Sequence, residues 1–266
     1  MITDKLPMVK GLILDMDGVL WHDKEPIGNL PAVYETIRSL GLKFVFATNN
    51  SGRTEAEYQQ KLAGMGVFVE PEQIVTSAVG TFVYIQDHFP DKKTLYIIGT
   101  PSFKLDGKAR GFTVLNDNDE TSPADFVIVG MDTELTYKKI DCASRKIRAG
   151  AAFLATNTDA TYPTPNGLTP GAGSMVSAVS TASGQEPFVI GKPEAYLYRL
   201  ATKRMGLTPS QILCVGDRLN TDILGAHNGG FLSAFVLSGV NSLEDLKNWE
   251  PKPTLIADNL TSLIND

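Results

Sequence analysis

The 266-residue sequence predicts an α/β protein built on a doubly wound parallel sheet that is interrupted by a second α/β unit. Three observations predict it. Short apolar runs alternate with segments of helical periodicity near the N-terminus. The same rhythm returns near the C-terminus. Between them lies a separate cycle of strands and helices.

Val9 to Leu14 contains the apolar run GLIL, ended by polar residues, and reads as a buried strand. Asn29 to Leu40 carries Leu30, Val33, Ile37 and Leu40 at helical spacing and stops at Gly41. Lys43 to Ala47 is a second strand, Thr54 to Ala63 a second helix ended by Gly64, and Ile74 to Thr76 a third strand. This alternation gives parallel strands with helices on both faces. Late in the chain, Phe188 to Ile190 reads as a strand. Pro193 to Met205 reads as a helix, with Pro at its first position and Gly206 as its stop. Ile212 to Val215, Ala234 to Leu237 and Thr254 to Ala257 read as strands, and Asp222 to Asn228 as a helix stopped by Gly229 and Gly230. The middle segment has strands at Thr94 to Ile98, Phe112 to Leu115, Phe126 to Val129 and Ala152 to Thr156. Its helices are Tyr137 to Arg148 and Gly173 to Ser183. The expected organisation is a core of residues 1–79 and 186–266, with residues 80–185 inserted. No linker rich in Gly and Ser marks the joins.

Composition narrows the function. Twenty-four basic and 30 acidic side chains give a formal charge of −6, which argues against nucleic-acid polymers and anionic membranes as partners. An anionic small molecule is still allowed, because amides, a lysine and a metal can reverse the field locally. Cys142 and Cys214 lie in apolar contexts and read as buried free thiols. His22, His88 and His227 lack metal-ligand spacing, so a zinc site is not expected. The N-terminal apolar run is broken by Asp15 and Asp17, unlike a signal peptide, and no stretch reaches membrane-span length. A cytoplasmic location is expected.

Four polar signatures follow four predicted strands. Asp15-Met16-Asp17-Gly18 follows the first, and ligands of parallel sheets bind outside the carboxyl ends of strands. There one carboxylate can attack while the other gives and takes a proton. The alternative is a polar loop. Thr48-Asn49-Asn50-Ser51-Gly52 offers a hydroxyl and successive amides to a phosphate, or else caps the next helix through Ser51 or Thr54. Gly191-Lys192-Pro193 places a lysine where it can neutralise phosphate, unless it is simply a surface lysine. Gly216-Asp217-Arg218-Leu219-Asn220-Thr221-Asp222 brings two more carboxylates, although Asp222 also suits a helix start. Gathering Asp15, Asp17, Asp217 and Asp222 without a cation would raise their pKa values steeply. A divalent metal, with Lys192, removes that difficulty, and the set describes a phosphoryl-transfer site.

These motifs, in this order, resemble the haloacid dehalogenase superfamily of phosphatases. The whole chain is similar to the branch named after a nucleotide phosphatase of the N-acetylglucosamine operon, which includes para-nitrophenyl, phosphoglycolate and pyridoxal phosphate phosphatases. The segments DMDGVLW, ATNNSGRT, ATNTDATYPTPNG, TPGAGSM, VIGKP and VGDRLNTDI carry the resemblance. It implies that Asp15 forms an aspartyl phosphate and binds Mg²⁺. It implies that Asp17 protonates the leaving oxygen and then activates water, with its carbonyl on the metal. Thr48, Asn49 and Lys192 would bind the phosphoryl group, and Asp217 and Asp222 would complete or support the metal site. The insert after Ser77 would be an α/β cap that closes over a small phosphorylated metabolite. Asn50, Asn157, Asp159, Thr161 and Tyr162 would face that substrate, and a homodimer through the cap is compatible with the branch. Ser102 to Gly111 departs from the branch in reading as short and less helical.

Several features are set aside. Gly171-Ala172-Gly173 lacks the third glycine and the preceding strand of a dinucleotide fingerprint, and Gly191-Lys192 lacks the other residues of a nucleotide-binding loop. Trp21, Tyr162 and Phe231 either touch substrate or pack in the interior. Rival functions are a phosphotransferase to a sugar hydroxyl, a non-catalytic phosphometabolite sensor and a receiver-type signalling domain. Retention of both Asp15 and Asp17 disfavours the sensor, and the inserted unit together with Asp17 disfavours the receiver domain.

Overall fold

The computed structural model describes residues 2–164 and 167–265. Pro165 and Asn166, within the TYPTPNG run, lie outside the described residues. The chain forms two compact units. One comprises Met1–Thr48, Glu55–Val75 and Lys192–Asp266, and the other Asn49–Thr54 and Thr76–Gly191.

The first unit carries a six-stranded sheet. Its order is Leu255–Ala257, Leu232–Val236, Ile212–Gly216, Gly11–Leu14, Lys43–Thr48, Ile74–Thr76. Gly11 pairs in parallel with both Ile212 and Lys43, and Leu14 with both Val215 and Phe46. All four residues of Gly11–Leu14 are buried, as expected for a parallel strand covered on both faces. Leu12 and Leu14 point into a cluster with Phe44, Phe46, Tyr34 and Ile37. Tyr34 lies on helix Leu30–Ser39, which Asn29 caps by accepting the Ala32 N–H, and its ring packs 5.1 Å from that of Phe44.

The second unit has its own five-stranded parallel sheet. Its order is Phe188–Val189, Ala152–Ala155, Phe126–Val129, Thr94–Ile98, Thr113–Val114. Alternation along the strands divides its core. Tyr96, Ile98, Val127 and Val129 meet helices Tyr137–Arg148 and Ala172–Ser183, through Cys142, Ile147, Met175 and Val179. Leu95, Ile97, Phe126 and Ile128 turn the other way, onto Phe82, Ile85 and Phe103. Cys142 and Cys214 are both buried free thiols, as expected.

The α/β class with two helix-flanked parallel sheets is as expected, but several elements differ. Phe188–Val189 pairs with Ala152–Ala155 and so completes the second sheet instead of joining the first. The chain passes between the units at 48/49, 54/55, 75/76 and 191/192, where two joins, at 79/80 and 185/186, are expected from the sequence. Helix Ser77–His88 is not expected from the sequence pattern. Seven of its residues are buried, Ser77 through Phe82 among them, so it shows little polar face. Pro101–Ala109 is a full helix, against the expectation for Ser102 to Gly111. Thr100 caps it by accepting the Phe103 N–H, Pro101 occupies its first turn, and Phe103 and Gly107 are buried. The late helix is Tyr196–Met205, not Pro193 to Met205. The segment opening at Asp222 is a π turn, Leu219–Ile223, followed by helix Leu224–Gly229. A two-stranded antiparallel pair, Thr161–Thr164 with Gly167–Pro170, was not anticipated.

Candidate active site

In the first sheet the chain steps outward from Gly11–Leu14 to Lys43–Thr48 and Ile74–Thr76. On the other side it steps outward from Ile212–Gly216 to Leu232–Val236 and Leu255–Ala257. The direction of winding therefore reverses between the Gly11 and Ile212 strands, and such a reversal opens a binding crevice at the carboxyl ends. Asp15 follows one of these strands and Asp217 the other. The Asp15 N–H donates to Val215 O at 2.9 Å, so its backbone continues the ladder.

Lys192 ties the acids together. Its Nζ donates to Asp15 Oδ1 and to Asp222 Oδ1, both at 2.6 Å, and its side chain is 3% exposed. Burial works against the lysine's charge, but the two carboxylates outweigh it and hold its pKa above the usual lysine range. Asp222 is fixed further. Its Oδ2 accepts the Arg218 N–H at 3.1 Å, and its carbonyl accepts Tyr198 OH at 3.1 Å. Asp217 Oδ2 accepts the Val240 N–H at 2.6 Å. Gly18 and Gly239 make room for this carboxylate, since a Cβ at either would overlap it, and Gly18 also needs its φ of +81°.

One ammonium thus faces three carboxylates. Burial is the main cause that pushes Asp15 well above the ordinary carboxylate range. Lys192 opposes it, and the charges of Asp222 and Asp217 add to it. Burial, then Asp222, raises Asp217 to about 7. Asp217 Oδ1 is buried with no hydrogen-bond partner, a costly state for a carboxylate oxygen. One oxygen from each of Asp15, Asp217 and Asp222 lies within 4.8 Å of the others. An all-oxygen, net-negative set that includes a carboxylate with an orphaned buried oxygen fits a hard divalent cation such as Mg²⁺.

The Asp17 side chain is not part of that set. Its Oδ1 accepts the indole N–H of Trp21 at 2.8 Å. Trp21 is fully buried and Phe231 is 8% exposed, so both pack in the interior. Thr48 ends its strand, buried, in the first unit.

The other expected residues belong to the second unit. Asn49 Nδ2 donates to both carboxylate oxygens of Asp159 at 3.2 Å. Asn49 O accepts from Ser77 Oγ at 2.6 Å and from Asn157 Nδ2 at 2.7 Å. Asn157 Oδ1 accepts the Asp159 N–H at 3.0 Å. Asn49, Asn157 and Asp159 therefore form one hydrogen-bonded knot. Asn50 is turned to its own loop, accepting the Gly52 N–H at 2.8 Å. Thr161 and Tyr162 lie on the antiparallel pair, outside the knot, Thr161 exposed and Tyr162 half-buried. Val240, Gly239 and Tyr198 were missed in the sequence. Val240 acts through a backbone amide and Gly239 through a missing side chain, so neither leaves a chemical signal.

A family model described as haloacid dehalogenase-like hydrolase matches residues 12–113, and a second, HAD-hydrolase-like, matches 189–263. The chain is 34% identical to a 5'-nucleotidase of Bacillus subtilis, covering 96% of this chain and 97% of the relative. This protein belongs to the haloacid dehalogenase-like hydrolases. Among solved structures, this hydrolase is similar to a 4-nitrophenylphosphatase from Thermotoga maritima, with a TM-score of 0.90 at 32% identity and 98% of each chain covered. It is also similar to a glycerol phosphate phosphatase from Mycobacterium tuberculosis in complex with magnesium. There the TM-score is 0.88 at 34% identity, with 97% of this chain and 77% of the neighbour covered. The hydrolase resemblance read from the motifs is borne out. Among the described residues no helix is long and apolar enough to cross a membrane.

Proposed function

We propose that this haloacid dehalogenase-like phosphatase hydrolyses small phosphate monoesters with Mg²⁺, using Asp15 as nucleophile and Asp17 as acid and base. The observation that supports this most is the Lys192 bridge between Asp15 and Asp222, with an oxygen of Asp217 within 4.8 Å of one from each of them. A lysine at this position orients the nucleophile and offsets phosphate charge. Asp15, Asp217 and Asp222 would hold the cation, with the Asp17 carbonyl as a further ligand. When bound, it supplies charge stabilisation for the phosphoryl oxygens and for Asp15.

In the first half-reaction a carboxylate oxygen of Asp15 attacks phosphorus. The ester P–O bond breaks, and the leaving oxygen keeps the bonding pair and takes a proton from Asp17. An aspartyl phosphate results. In the second, water attacks phosphorus while giving its proton to Asp17, the Asp15 carboxylate leaves, and inorganic phosphate is released. Thr48 and Asn49 are assigned to the phosphoryl oxygens. The second unit is assigned as the cap, with Asn50, Asn157, Asp159, Thr161 and Tyr162 as substrate contacts. The relatives' substrates suggest nucleotides, glycerol phosphate and nitrophenyl phosphate as the first esters to assay.

The test is phosphate release from that panel, with Mg²⁺ and with chelator. Wild-type turnover should require Mg²⁺, and Asp15→Ala should lose at least about 1,000-fold. Full turnover in chelator, or in Asp15→Ala, would refute the reading.

A further inference from the structure

The indole of Trp21 is fully buried in the first unit. Its Nε1–H donates to Asp17 Oδ1 at 2.8 Å. The same two residues form a backbone bridge, and the Gly18 N–H donates to Trp21 O at 2.9 Å, closing the turn between them. Lys61 Nζ sits 3.7 Å from the centroid of the Trp21 ring, and Tyr58 stacks on it with planes 14° apart. Tyr58 and Lys61 stand three residues apart on helix Glu55–Gly64, and so share a helix face. Lys61 Nζ also donates to Asp23 O at 2.7 Å, tying that helix to the turn a second time. The ring is held by neighbours on another element, and its one polar atom is spent on Asp17.

We propose that Trp21 is a positioning residue that holds the Asp17 carboxyl in one orientation for proton transfer. The inference rests on the phosphatase reading above. With Oδ1 accepting from the indole, the proton that Asp17 delivers leaves from Oδ2. When the ester P–O bond breaks, the leaving oxygen keeps the bonding pair and takes that proton. In the second half-reaction Oδ2 takes a proton from the attacking water. An indole N–H donates and never accepts, so it does not compete for the transferred proton in either step. Phosphate esters with a poor leaving group need that proton most. Nitrophenolate, a good leaving group, needs it least.

The experiment compares kcat/KM, with Mg²⁺, for glycerol phosphate and for para-nitrophenyl phosphate. Two replacements of Trp21 are used. Trp21→Phe shortens the ring and removes the N–H. Site-specific incorporation of 3-benzothienylalanine keeps the shape and removes the N–H alone, so a folding failure in the first does not silence the test. Each replacement should cost about tenfold more on glycerol phosphate than on the nitrophenyl ester. Asp17→Asn should show the same selectivity, and Trp21→Phe should add no further selective loss to it. Equal losses on the two esters with both replacements, or no loss with the isostere, would overturn the proposal and leave Trp21 as packing. If the wild type does not turn over glycerol phosphate, the nucleotide ester it turns over best takes its place as the poor leaving group. No turnover of any ester in the panel would sink the phosphatase reading itself, which is a different result.

Discussion

At Asp217, burial is the first cause that lifts the carboxyl to about 7, and the charge of Asp222 is the second. An acid whose folded pKa exceeds its unfolded value stabilises the fold fully below that unfolded value, near 3.8. It loses this contribution as pH rises through the folded value. The metal-free protein should therefore lose melting temperature between about pH 4 and pH 7. Asp217→Asn, which keeps an acceptor for the Val240 N–H, should flatten that fall. Mg²⁺ should restore stability to the wild type at pH 7.5 and do little for the variant. Calorimetry of both proteins, with and without the ion, checks this. An equal response to Mg²⁺ in both would contradict the placement of Asp217 at the cation. The sequence made Asp15, Lys192, Asp217 and Asp222 legible as candidates, because the first three carry a charged group just after a predicted strand and Asp222 closes the polar run between a predicted strand and the next helix. It did not show which carboxylate lacks a partner, since that depends on which amides and glycines the fold brings near.

Among the elements, the loop after Leu232–Val236 shows how the missed parts work. Ser238 Oγ donates to Gly18 O at 2.7 Å, Val240 N–H holds Asp217, and a Cβ on Gly239 would overlap that carboxylate. Gly239 lies outside the left-handed backbone region, so close approach alone requires glycine there. Gly239→Ala should displace the carboxylate and lower kcat/KM roughly 100-fold, the scale of a misplacement near 1 Å. It should also raise the Mg²⁺ concentration for half activity. A variant with unchanged Mg²⁺ dependence would contradict this reading of the loop. Elements with a clear period were read correctly, such as Leu30–Ser39, whose buried residues are Leu30, Val33, Tyr34 and Ile37. Ser77–His88 escaped because most of its faces are covered. Phe188–Val189 was seen as a strand but assigned to the wrong sheet, since strand pairing is not local.

On the scale of the whole molecule, the alternation of apolar runs and helices was enough to predict two parallel α/β systems in one chain. What it left open was where they divide. The loop 49–54 joins the second unit through the bonds of Asn49 to Ser77 and Asn157, although it follows directly on a strand of the first. Side-chain hydrogen bonds between residues 28 and 108 positions apart decide that, and no local pattern records them. The four polar signatures nevertheless fell at strand ends, and the first unit brings Asp15, Lys192, Asp217 and Asp222 into one cluster, although Lys192 follows a strand of the second sheet. The proposed catalysis turns on Asp15 as the carrier of the phosphoryl group. Acid quenching during turnover with Mg²⁺, borohydride reduction and peptide mass analysis measure this directly. Homoserine is expected at position 15, dependent on substrate and absent without it. Undiminished turnover with no modification at position 15 and a reducible acyl phosphate elsewhere would contradict it.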